Sequence, residues 1–451
     1  MVPGMKETMS ESREGLKRLF AVRRGETGAV VLAMACFCCL LIALMVLRPA
    51  RDALGMQRGI ETVRWLFIGT ALMTLAVNPL FAWLVSRFAR ITFVSATYLF
   101  FALCLGGFYA LLGFAPAAVG QASGAVFYVW FSVANLFVTM VFWALMADRF
   151  RFEQAKRLFP LIALGGTIGA LIGPLLAGWL AGPLGTPALL LVSIVFLLAG
   201  LGLAWAFMWR TDSTSPGTAQ ADDVRAPPIG GSAWEGFSAV FQSRYLSGVS
   251  AYIVVMTVMA TFIYFTRLQL VATLGTDIDL RTRLFAHIDL ATQATTLLLQ
   301  ALVAGRLMQR FGVHIVLAVL PVLAALGFIG LALTASLAML IVFEASFRAV
   351  QRALARPARE TLYTVLGRSD KYKAKAFIDT FIYRTGDVLG AQIEGLMGRF
   401  GLALGGLATL AIPLALSWAV LGLWLGREQQ RLAARSPDAD TQTATTTGNV
   451  P

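Results

Sequence analysis

Of 451 residues, 58% are hydrophobic and 14% are charged, with a mean hydropathy of +0.74, against roughly 45–50% apolar and 25% charged in soluble domains. No soluble fold hides that much apolar surface. Cytosolic enzymes, disordered regulators and nucleic-acid-binding domains are therefore excluded, despite 37 Lys and Arg against 24 Asp and Glu.

In chain order, the first 27 residues interleave Lys6, Arg13, Lys17, Arg18, Arg23 and Arg24 with Glu7, Glu11, Glu14 and Glu26. No small-residue cleavage site follows the first apolar run, so residues 1–27 are predicted to be a cytoplasmic tail rather than a removed signal. A membrane-crossing helix needs about 20 mostly apolar residues, and such segments recur twelve times. The first six run near 28–47, 65–86, 91–113, 121–146, 158–181 and 187–209, and predict a six-helix bundle over 28–209. Residues 210–245, rich in Pro, Gly, Ser and Thr, read as a cytoplasmic linker. Six further spans near 246–266, 284–305, 313–334, 336–355, 376–397 and 402–425 predict a second bundle over 246–426. Residues 427–451 form a polar, disordered cytoplasmic tail by composition.

Basic residues mark the cytoplasmic side. With both termini inside, 28 of the 37 lie on that face and 8 outside, which predicts an inner (plasma) membrane protein of bacterial type with cytoplasmic ends. The halves resemble each other weakly, as parallel transporter repeats do. Ala155-Lys156-Arg157-Leu158-Phe159-Pro160 leads into Gly165-Gly166-Thr167, and Ala374-Lys375-Ala376-Phe377-Ile378-Asp379 leads into Thr385-Gly386-Asp387, both entering the fifth span of their half. Cys36, Cys38, Cys39 and Cys104 lie in apolar runs without Cys-x-x-Cys spacing, as packing residues do.

Charged side chains at the bilayer centre cost about 2.5–3.5 kcal/mol on insertion scales and normally face a bundle interior or a wet cavity. The eleventh span carries Asp379, Arg384, Asp387 and Glu394. Arg384 and Asp387 are spaced to meet, with Glu394 further along the same stripe. This stripe reads either as a cavity wall or as an ion-pair ladder between helices. Asp289, Gln293, Thr296 and Gln300 share one side of the eighth span. Ser132, Asn135 and Thr139 do so in the fourth, and Thr257, Thr261 and Tyr264 in the seventh, where uncharged stripes also serve as helix glue. Glu344 and Arg348 make an acid-before-base i, i+4 pair, followed by Arg352 and Arg356 on nearly the same face, a helix-stabilising pattern. His287 titrates in the physiological range or is a boundary residue.

Arg48-Pro49-Ala50-Arg51-Asp52 follows the first span, with Pro49 able to break the helix. Arg267 follows the seventh. Guanidinium groups bind phosphate or carboxylate bidentately, so Arg48, Arg51 and Arg267 suggest an external anion gate. The alternative is a local Arg51–Asp52 pair.

Gly305-Arg306-Leu307-Met308-Gln309-Arg310-Phe311-Gly312 resembles the basic loop between the second and third spans of a half in the major facilitator superfamily. Phe142-Trp143-Ala144-Leu145-Met146-Ala147-Asp148, Glu153-Gln154-Ala155-Lys156-Arg157-Leu158-Phe159-Pro160-Leu161 and Arg356-Pro357-Ala358-Arg359-Glu360-Thr361-Leu362-Tyr363, together with the Arg48–Asp52 and Lys373–Asp379 stretches, resemble ATP/ADP translocases within that superfamily. The resemblance implies a twelve-helix fold of two pseudo-symmetric six-helix bundles and alternating-access exchange of an anion such as a nucleotide.

The resulting expectation is a secondary active transporter, not an enzyme, without cofactor or metal, for a small anionic or phosphorylated solute. Its partners are the solute and the lipid bilayer, not nucleic acid, with a monomer favoured. Substrate contacts are assigned to Arg48, Arg51, Arg267, Arg384, Asn135 and Gln293. Ion coupling is assigned to Asp289, Asp387 and Glu394, because a carboxyl taken out of water favours its protonated form. A cytoplasmic gate is assigned to Arg306, Arg310, Lys375 and Asp379. A proton-driven exporter of amphipathic molecules and a non-transporting scaffold or sensor with a transporter fold are the alternatives.

Overall fold

The structure, a computed structural model, describes residues 26–88, 90–150, 152–212, 237, 240–302, 304–366, 374–375, 377–401 and 404–435, and their regular structure is helical throughout. The twelve principal helices are α1 (Thr27–Gly55), α2 (Ile60–Arg87), α3 (Arg90–Phe114), α4 (Ala117–Arg149), α5 (Phe152–Leu184), α6 (Ala188–Asp212), α7 (Arg244–Thr273), α8 (Ile278–Leu302), α9 (Ala304–Thr334), α10 (Leu337–Val350), α11 (Tyr383–Arg399) and α12 (Leu404–Arg435). A π-helical turn, Gln351–Ala355, carries α10 into a short helix, Arg356–Thr361, and another, Ile378–Ile382, leads into α11. Among the described residues nine helices are long and apolar enough to cross a membrane. The three left out, α8, α10 and α11, hold Asp289, Glu344, Asp387 and Glu394. Their polarity has to be satisfied by neighbouring helices, because hydrocarbon offers nothing.

Local chemistry sets several ends. Ser243 caps α7 by accepting from the Leu246 N–H at 3.3 Å, and Ser336 caps α10 by accepting from the Met339 N–H at 3.2 Å. Gly312, with φ +72°, breaks α9 and separates its first turns from the apolar stretch 313–334, where any residue with a Cβ would be strained. The expectation that Pro49 ends the first span is overturned. Helix α1 continues to Gly55, so Arg48 and Arg51 are helical rather than loop residues. Neighbouring helices cover the turn, and proline costs a membrane helix one backbone bond that packing can offset.

The chain forms two compact units. The first comprises Met1–Gln57, Ala76–Ala221 and Asp277–His287, and the second Arg58–Leu75, Asp222–Thr276 and Ile288–Pro451. In the first, α1 packs most extensively against α5 and α6. Gly165, Gly169 and Gly173, one every four residues, set α5 against the α1 backbone. A Cβ at Gly165 or Gly169 would intrude on the carbonyl of Met34 or Cys38, the close approach that small-xxx-small spacing permits. Phe37 stacks on Phe142 at 4.4 Å in the same core. Short segment 277–287 is tied in through Asp279, which accepts from the Thr186 N–H at 2.6 Å.

The second unit repeats the device. Gly386 and Gly390 of α11 lie against Thr257 and Thr261 of α7, again four apart. The threonine stripe of the seventh span therefore works as helix packing here. Trp418, Tyr252, Phe328 and Phe343 centre this core, and the Tyr252 hydroxyl donates to the Leu317 carbonyl at 2.8 Å.

Candidate functional site

Among the described residues of the second unit, three groupings of charge involve the predicted residues. The most buried surrounds Arg267, which is fully enclosed in the body of α7. Its Nη1 donates to Asp289 Oδ1 of α8 at 3.0 Å and to Glu344 Oε1 of α10 at 3.3 Å. Arg348, one turn on from Glu344, donates from Nε to the same Oε1 at 2.8 Å. Two guanidinium groups thus balance two carboxylates, and Asp289 and Glu344 are 2% and 0% exposed. Removing one partner of such a buried set leaves a charge that costs about 3–5 kcal/mol. Glu344 Oε2 is buried without a hydrogen-bond partner among the described residues.

The second grouping joins α2, α7 and α11. Arg64 Nε donates to Glu394 Oε2 at 2.8 Å, and Gln269 Nε2 donates to Oε1 at 2.6 Å. Both carboxylate oxygens of Glu394 are thereby held, with the residue 2% exposed.

The third is a cavity of about 500 Å³ lined by Met256, Gln351, Arg352, Ala355, Arg356, Arg359, Glu360, Lys375, Asp379, Tyr383 and Arg384. Both π-helical turns border it. Each widens the helix by one residue, a distortion frequent at functional sites: the Arg356 N–H bonds the Gln351 carbonyl and the Tyr383 N–H bonds the Ile378 carbonyl. Arg352 also donates to Gln293 of α8, and Arg384 donates to Asp387 at 3.1 Å. Lys375 pairs with Glu360 at 2.5 Å. Five cations face two carboxylates in the lining, leaving it net positive. Beyond the tenth span, under the Lys375 ammonium, burial and then the charge of Asp379 push the Tyr363 phenol well up, so that group stays neutral.

The predicted residues distribute unevenly over these groupings. Arg384, Lys375 and Asp379 line the cavity, and Gln293 reaches it through Arg352. Asp387 meets Arg384 as its spacing requires. Glu394 does not share the cavity wall, because Arg64 and Gln269 hold it elsewhere. The external gate of Arg48, Arg51 and Arg267 is not formed as expected: Arg267 is a buried helix residue bound to two acids, and Arg51 Nη2 pairs with Asp52 at 2.6 Å under the Tyr128 ring. The alternative local pair is the one observed. Arg48 is half-buried in α1, and Asn135 is half-buried in α4, where its carbonyl accepts from the Thr139 hydroxyl at 2.8 Å. The side chains of Arg306 and Arg310 lie outside the described residues.

Sequence reading missed Arg64 and Gln269 as partners of Glu394, and quoted Arg359 only within the Arg356–Tyr363 stretch, without a site role. It took Glu344 and Arg348 as a helix pair, which they are, without Arg267 as the third member. The available signal was arginine at every fourth position, 348, 352 and 356, in a helix otherwise apolar enough to be read as a span.

The family model of the Major Facilitator Superfamily matches residues 30–356. No curated protein matches the sequence. Among solved structures, the chain is similar to a POT family transporter in complex with 5-aminolevulinic acid, at 13% identity and TM-score 0.60, covering 87% of this chain and 96% of the other. It is similar to another POT family transporter in complex with a thioalcohol-conjugated peptide, at 14% identity and TM-score 0.61, with 87% and 96% covered. A bacterial homologue of the iron transporter ferroportin in an inward-facing state aligns at 11% identity and TM-score 0.65, with 89% and 98% covered. At such identities the likeness is one of fold. The narrower resemblance to ATP/ADP translocases finds no support in these matches.

Proposed function

The chain belongs to the Major Facilitator Superfamily and is a multi-pass membrane transporter, and from that premise we propose that it moves a small anionic solute by alternating access, driven by exchange or by an ion gradient. The observation that carries this reading is the cavity of about 500 Å³, whose lining sets Arg352, Arg356, Arg359, Lys375 and Arg384 against Glu360 and Asp379. That size lies in the range of small-molecule sites, about 300–1,000 Å³. The excess of arginine favours a ligand with carboxylate or phosphate oxygens, which accept the fork of a guanidinium. The proton-driven exporter of amphipathic molecules expects no cationic pocket once Arg384 pairs with Asp387; because the lining stays net positive with that pair formed, it is the weaker reading.

Coupling is assigned to the buried carboxylates. Asp289 shares Arg267 with Glu344, which also accepts from Arg348 at the edge of the network. Arg267 and Gln293 support the site from α7 and α8 rather than touching solute directly.

The test is uptake by proteoliposomes loaded and bathed with labelled anions, including a nucleotide, a sugar phosphate and a dicarboxylate, with and without an imposed pH gradient. Saturable uptake of at least one anion, lost in R384Q/R352Q, is expected. Uptake confined to hydrophobic cations, or absent for every solute while the protein is folded and inserted, overturns the reading.

A further inference from the structure

Arg359 stands apart from the other cations of the cavity. It sits in the short helix Arg356–Thr361 and is 8% exposed, yet it lines the opening. Its Nη2 lies 3.9 Å from Glu360 Oε1 and 3.8 Å from Asp379 Oδ1, outside hydrogen-bond range for either carboxylate. Its Nε is buried with no hydrogen-bond partner among the described residues. Glu360 is instead held at 2.5 Å by Lys375, and the Tyr383 ring packs beneath the guanidinium, 5.6 Å from centroid to Cζ. A buried guanidinium that meets two carboxylates only at ion-pair distance and the Tyr383 side chain, with its Nε unsatisfied among the described residues, is costly to keep. An acceptor entering from the cavity would remove that cost.

We infer that Arg359 anchors an anion subsite for a phosphoryl group, with Arg352 and Arg356 completing its shell. The inference rests on the transport reading of this cavity and names the chemical class of its ligand. Charge and the number of acceptor oxygens favour phosphoryl over a single carboxylate. A phosphoryl group brings about −1.5 to −2 charge and three acceptor oxygens, which suits a lining with three cations in excess of its acids. Arginine meets phosphate, as it meets carboxylate, through two parallel N–H donors, and the Nε of Arg359 has no hydrogen-bond partner among the described residues. Arg356, exposed at the rim, has no ion pair among the described residues and is placed to meet an incoming anion. The phosphoryl group can belong to a soluble solute or to a lipid headgroup, since both present the same oxygens.

Full-length protein in detergent free of anionic lipid is titrated with inorganic pyrophosphate, phosphate and citrate, with binding followed by calorimetry and thermal shift. Pyrophosphate is expected to bind saturably and more tightly than citrate. R359Q should weaken it at least tenfold, R359K three- to tenfold and the rim variant R356Q by less. If R359Q does not fold, R359K and 31P line broadening of pyrophosphate on the unmodified protein, competed by phosphate but not by chloride, carry the test. Repeating the titration in nanodiscs with and without phosphatidylglycerol assigns the source: displacement of pyrophosphate by the anionic lipid makes the ligand a headgroup, and its absence makes it a soluble phosphate. The inference is overturned by no saturable pyrophosphate binding, by affinity in R359Q within twofold of the parent, or by citrate binding more tightly. Pyrophosphate binding that depends on Arg359, without transport of any anion by proteoliposomes, leaves the subsite standing and removes the carrier reading. Anion uptake unchanged in R359Q does the reverse.

Discussion

At the scale of single residues, the costliest arrangement is the one around Arg267. Its side chain is fully enclosed and bound to both Asp289 and Glu344. R267Q removes the guanidinium that Asp289 and Glu344 share. A loss of about 3–5 kcal/mol is expected, seen as a marked fall in the unfolding temperature of detergent-purified protein. Neutralising both acids in R267Q/D289N/E344Q should recover a good part of that loss, because amides do not carry the uncompensated charge. If the triple variant is no more stable than R267Q, the interaction is not electrostatic. Glu394 gives a milder version: Gln269 still holds Oε1 when Arg64 is removed, so R64Q should cost less than R267Q in the same assay.

At the scale of helices, glycine spacing decides how closely pairs approach. Gly169 of α5 packs on the α1 backbone and Gly390 of α11 packs on Val258 and Thr261 of α7. Adding side chains there forces helices apart, and overpacking costs about 1–3 kcal/mol. G169L and G390L should both lower the unfolding temperature. Gly106, in α3, has open space where a methyl group would sit, with nothing within 4 Å, so G106A should be neutral or stabilising by up to about 1 kcal/mol through helix propensity alone. Equal losses at all three sites would mean that close helix approach is not what these glycines supply. The π-helical turns belong to this scale too. Each contributes to the cavity wall, Gln351, Arg352 and Ala355 from Gln351–Ala355 and Asp379 from Ile378–Ile382. Deleting one residue from Gln351–Ala355 should restore a regular helix and, by turning Arg352 away from Gln293, reduce anion binding more than stability.

For the whole molecule, the prediction concerns access. Cysteine placed at Asp379 in a background lacking Cys36, Cys38, Cys39 and Cys104 should react with a membrane-impermeant thiol reagent from the cytoplasmic side. Pyrophosphate or a transported anion should slow that reaction, and an imposed gradient should change its rate. A rate indifferent to ligand and gradient would favour a scaffold that keeps the transporter fold without its cycle.

Hydrophobic length by itself determined most of the architecture, because only a helix about 20 residues long satisfies its backbone in hydrocarbon. The superfamily was legible in the same way, from the Gly305–Gly312 basic stretch and the repeated entry into the fifth span of each half. Charge pairs within one helix were legible as well: Glu344 with Arg348 and Arg384 with Asp387 follow from a period of 3.6 residues. What only the tertiary structure decided was the company kept across helices. Periodicity places Glu394 on the stripe of Asp387 but says nothing of Arg64, 330 positions away. Pro49 predicts a break in isolation, yet the packed helix runs on to Gly55. Arg267, counted by sequence among external arginines, is a core residue, and Arg359 is buried beside a cavity with its Nε unsatisfied among the described residues. The reason is common to all four. A sequence pattern fixes the direction of a side chain about its own helix axis, whereas partners and burial depend on which other helix lies opposite, and that is settled only when the whole chain packs.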